Sequence, residues 1–91
     1  MPGELLWAEA VLGQEASEFL STEIGRYIVG RAEQDKADAM EKLARVSPWR
    51  RNRIRQLQNE VWRAESVVSW IAELITSGQQ AEAVLEELQE S

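Results

Sequence analysis

Sixteen carboxylates dominate the chemistry open to this sequence, which has no histidine and no cysteine. Without histidine, the commonest general base and the commonest transition-metal ligand are missing. Without cysteine, disulfides, thiolate nucleophiles and sulfur-ligated zinc are excluded, which fits a reducing compartment. The carboxylates themselves follow no catalytic spacing. A di-iron bundle needs Glu-x-x-His, and no G-x-S-x-G, phosphate-loop or G-x-G-x-x-G pattern occurs. Gly25 and Gly30 lie five residues apart inside a helical pattern, and Asp35 with Asp38 falls short of an EF-hand loop. The expectation is a protein that is not an enzyme, with no catalytic residue, no metal and no cofactor.

The second group with chemical character combines arginine and tryptophan: Trp49, Arg50, Arg51, Arg55 and Trp62. Aromatics bordered by arginines are enriched in protein interfaces, and these five residues are the candidate interface. Arg51, Arg55 and Trp62, four and seven residues apart, share one side of a helix. Two readings of Trp62 stand level: an interface anchor, or a side chain buried under the N-terminal helix. Trp49 either covers the end of the core, the favoured reading, or anchors a partner. Trp7 and Trp70 fall among apolar residues and are read as core. Arginine beside tryptophan also suits base stacking with phosphate contact. Against that, no nucleic-acid-binding motif is present and the sequence pI is about 4.6, the opposite of the basic balance such modules carry.

These residues need elements to position them. Ninety-one residues make one domain with one modest core. Ala, Glu, Leu, Gln and Arg are abundant, and only two prolines and five glycines interrupt them, so helix is the expected state throughout. A first helix is expected over about 4–20, with Gly13 as a point of bending or breakage. A second is expected over about 22–46, with a soft boundary at Ser21 and Thr22. Ser47-Pro48 suits an N-cap followed by the first helical residue, so a long helix is expected over about 48–76, antiparallel to the second. Its apolar residues Ile54, Leu57, Val61, Ala64, Val68, Ile71 and Ile75 are spaced alternately by three and four, an unbroken heptad seam with β-branched residues at every a position. Val67, Trp70 and Leu74 widen the stripe in its second half, which is expected to lie between two helices. Ser77, Gly78 and Gln80 resemble a turn and capping box, so a short last helix is expected over about 79–89. The expected fold is all-α: an antiparallel bundle of three to four helices around a long helical hairpin.

Charge is unevenly distributed along these elements. Residues 42–55 carry six basic side chains and no acid; the rest carries four basic against sixteen acidic, a charge of −12. The expected hairpin therefore has a basic tip and an acidic opposite end. No apolar run reaches the roughly 18 residues of a membrane span, and MPGELLWAEAVLG, with Glu4 and Glu9 and no basic residue, does not read as a secretory signal.

Between Ser17 and Ala81 the chain resembles small uncharacterised helical proteins encoded in tailed-phage and prophage genomes. The resemblance is carried by Glu18-Phe19-Leu20, Gly25-Arg26-Tyr27, Arg31-Ala32-Glu33, Leu57-Gln58-Asn59 and Trp62-Arg63-Ala64-Glu65. It implies a bacterial cytoplasm or a virion as the setting and an assembly or accessory role. It assigns a function to no individual residue. The leading expectation is a protein-interaction module that self-associates and docks protein partners. One alternative is an inhibitor of a host defence protein whose acidic surface imitates nucleic acid. A second is nucleic-acid binding through the arginine-rich tip.

Overall fold

The computed structural model describes residues 2–90, with side chains for residues 3–90. The described residues are all-helical: α1 (Pro2–Ser21), α2 (Glu23–Arg45) and α3 (Arg51–Glu90). Helix α3, with 40 residues, is about 60 Å long at 1.5 Å per residue and spans the molecule, whose principal extents are 62 × 27 × 16 Å. Helices α1 and α2 run end to end along it in the opposite direction. Gly13 of α1 meets Gly78 of α3, whereas Lys36 of α2 pairs with Glu65 at 3.1 Å. A thickness of 16 Å admits one layer of helices. Each half of α3 therefore has one helical partner.

Thr22 makes the joint between α1 and α2. Its hydroxyl donates to the Phe19 carbonyl at 2.6 Å and accepts from the Gly25 amide at 3.0 Å, capping α2 while closing α1. Gly25 is required here, because a Cβ at this position would collide with the Phe19 carbonyl. Helix α2 ends at Val46, which is extended. The Arg50 amide then donates to the Ser47 carbonyl at 3.0 Å. That closes a turn with Pro48 at its second position, where a fixed φ is favoured. Helix α3 consequently begins at Arg51 rather than Pro48; its first turn is tied by the Ile54 amide to the Arg50 carbonyl.

The separate last helix expected over 79–89 does not form, and α3 continues unbroken to Glu90. No described glycine has positive φ, so Gly78 does not turn the chain. It serves a close approach instead: a Cβ on Gly13 would lie 2.6 Å from the Gly78 Cα. Gly13 likewise does not break α1. The described residues thus form three helices, within the expected three to four, but in one layer and not as a bundle.

The core follows from this thinness. The buried apolar residues are Ala10, Ala16, Ala32, Ala39, Leu57, Ala64 and Ala81. Small side chains let the helices approach, and Leu57, at 1% exposure, is the only large side chain fully buried among the described residues. The rest of the expected seam faces α1 and α2, with Ile54, Val61, Val68, Ile71 and Ile75 half-buried. The expectation that the second half of α3 lies between two helices is corrected. Only α1 reaches it, leaving Trp70 and Leu74 exposed.

Candidate protein-interaction surface

The tip joins the end of α2 to the start of α3. Trp49 stands in its turn at 90% exposure, so it does not cover the end of the core. The turn points it outward, beyond the last apolar layer at Val46 and Ile54. Arg50, Arg51 and Arg55 are exposed beside it, and among the described residues no carboxylate pairs with them. Trp62 continues the Arg51–Arg55 line along the outer side of α3, at 65% exposure. It is not covered by α1, which lies along the other half of α3. The structure thus brings Trp49, Arg50 and Arg51 together at the tip and leaves Trp62 at the far end of a separate stripe.

Trp7 and Trp70 depart from their expected place in the core, at 64% and 65% exposure. The reason is the missing layer: a side chain off the seam of α3 needs a third helix to bury it. Trp7 borders a shallow groove with Ala10 and Gln14 of α1 and Glu82, Leu85 and Glu86 of α3. Trp70 belongs to the opposite broad face, which the sequence reading missed. Val67, Trp70, Leu74, Ser77, Ala81, Val84 and Leu88 keep a three-four spacing of their own across the position where a break was expected. That spacing was the available signal, hidden by ending the helix at Thr76. Leu5 and Leu12 of α1 are exposed as well.

No protein-family model, curated protein or solved structure matches the chain.

A second groove, of about 550 Å³, lies between α2 and α3 and is lined by Tyr27, Arg31, Asp35, Lys42, Glu60 and Arg63, among others. Arg31 donates to Asp35 at 3.1 Å and to the Tyr27 hydroxyl at 3.4 Å. The Tyr27 and Asp35 hydrogen bonds raise its already high pKa. Walls of alternating sign neutralise one another, so this groove offers no single-sign field for a small ion. Among the described residues no three carboxylates converge as a metal-holding cluster, and no helix is long and apolar enough to cross a membrane.

Proposed function

We propose that this protein is a non-enzymatic protein-interaction module that works by self-association and partner docking, in an assembly or accessory role in a phage or prophage setting. The observation that supports it is the exposure of large apolar side chains on both broad faces, at the outer edge and at the tip of one helical layer, all four tryptophans among them. Such surface is costly to leave in water, and contiguous patches of this kind mark interaction sites. Trp49 with Arg50 and Arg51, and Arg55 with Trp62, supply the aromatic and guanidinium groups that dominate interface energetics. Their docking partner in this reading is an acidic protein surface. The bacterial cytoplasm or the virion is the setting proposed.

Light scattering at micromolar concentration tests the self-association, with an oligomer expected and a monomer overturning it. Filter binding to nucleic acid at low salt tests the competing role of the tip. No retention is expected; retention lost in the triple variant Arg50→Ala, Arg51→Ala, Arg55→Ala would replace partner docking by nucleic-acid binding.

A further inference from the structure

We infer that the broad face carrying Trp70 is the self-association surface. Its occupant is a second copy of this chain, laid antiparallel across a two-fold axis that passes by Ser77 and Leu12. The inference deepens the self-association reading above and rests on it.

The face is defined by the two helices that form it. On α1, Leu12 lies two residues from Gln14, and on α3, Val84 lies two residues from both Glu82 and Glu86. Two residues are about 160° apart around a helix, so Leu12 and Val84 both look away from the groove that Gln14, Glu82 and Glu86 line. Leu5, Leu12 and Phe19 repeat every seven residues along α1. The stripe Val67, Trp70, Leu74, Ser77, Val84 and Leu88 runs along the same side of α3, exposed except for the half-buried Val67, with Ala81 buried beneath it. Neither stripe contains a charged residue.

Both stripes are self-complementary about one level of the molecule. Reversing α1 about Leu12 lays Leu5 on Phe19 of the other copy and Leu12 on Leu12. Reversing α3 just past Ser77 lays Val67 on Leu88 and Trp70 beside Val84, each large residue on a smaller or equal one. The two centres lie at one height, because Gly13, next to Leu12, packs on Gly78, next to Ser77. One two-fold axis therefore satisfies both helices, which is the requirement of an isologous interface. The product is two stacked helical layers, the arrangement that covers Trp70 and Leu74.

The chain exposes enough surface beyond that of a compact monomer to supply such an interface. The chain has 7298 Å² of accessible surface, whereas a compact monomer of 10.4 kDa exposes about 5,400 Å². The excess is about twice the roughly 800 Å² per partner buried in a standard stable interface.

Cysteine cross-linking tests the geometry, since the chain has no cysteine of its own. Ser77→Cys and Leu12→Cys are each expected to form a disulfide-linked dimer under mild oxidation. Ser69→Cys, on the back of α3, is expected to stay uncross-linked. Val67→Cys and Leu88→Cys are each expected to stay single alone and to cross-link when mixed. Self-linking of Val67→Cys and of Leu88→Cys indicates parallel pairing and overturns the antiparallel axis. A dimer by light scattering in which neither Ser77→Cys nor Leu12→Cys links overturns this face while leaving self-association standing; a monomer overturns both. Trp70→Ala is expected to raise the dimer dissociation constant on the order of 30-fold, with circular dichroism confirming retained helix. An unchanged constant removes Trp70 from the interface.

Discussion

At the scale of single residues, the same residue type has opposite consequences in two places. Gly78 faces Gly13 so closely that an added Cβ would lie 2.6 Å from the opposite Cα. Gly78→Ala is therefore expected to destabilise the fold by about 1–3 kcal/mol through overpacking. Gly30 lies in α2 with nothing within 4 Å of such a Cβ. Gly30→Ala is expected to stabilise by about 0.5–1 kcal/mol, the helical cost of glycine relative to alanine. Thermal unfolding of both variants, followed by circular dichroism, checks the two signs together. Thr22→Ala removes the hydroxyl that caps α2 and bonds Phe19, with an expected loss of about 1 kcal/mol in urea unfolding.

At the scale of elements, α3 is held by partners that differ along its length. Against α2 its contacts centre on Leu57 and Ala64, and against α1 on the glycine crossing and Ala81. Leu57→Ala empties a fully buried large side-chain site and is expected to lower stability by about 2–5 kcal/mol. Trp49→Ala changes a residue that stands free of the core, so its cost is expected to stay within about 0.5 kcal/mol. Chemical denaturation of the two variants separates core from surface in this way; a costly Trp49→Ala would place that ring in the fold after all. The heptad seam was legible from Ile54 to Ile75 because three-four spacing needs only one partner helix to be meaningful. The end of α3 was not, because Ser77-Gly78 carries the composition of a turn. Only the opposing Gly13 reveals that this glycine is there for packing.

At the scale of the whole molecule, shape and charge act on association in different ways. A radius of gyration of 18.4 Å far exceeds the roughly 12 Å of a compact chain of this length, and the surface this exposes is apolar along one face. Residues 64–91 and 1–25 carry eleven carboxylates and no basic side chain. The proposed dimer brings these two acidic halves together, so burial of the apolar stripes must overcome their repulsion. Salt screens such repulsion, with a Debye length of about 10 Å at 0.1 M. The dimer is therefore expected to tighten as salt rises from about 0.05 to 0.5 M. Docking of the basic tip on an acidic partner is expected to weaken over the same range. Sedimentation across a salt series checks the first, and a dissociation constant that rises with salt contradicts it. Tryptophan emission is expected to shift to the blue with increasing protein concentration as Trp70 leaves water.

The sequence by itself determined the helical state, the seam of α3, the antiparallel reversal near Ser47-Pro48 and the separation of a basic tip from an acidic remainder. These properties are written in spacing, propensity and charge, which act over a few residues. The tertiary structure alone decided how many layers the helices form. Periodicity shows that a helix has an apolar side, but not whether the same chain supplies the cover. Here Thr22 sets α1 in line with α2 instead of on top of it, and Gly78 lets α3 run on instead of folding back. Trp7, Trp62 and Trp70 are consequently left at the surface, because a single layer offers no helix to cover them.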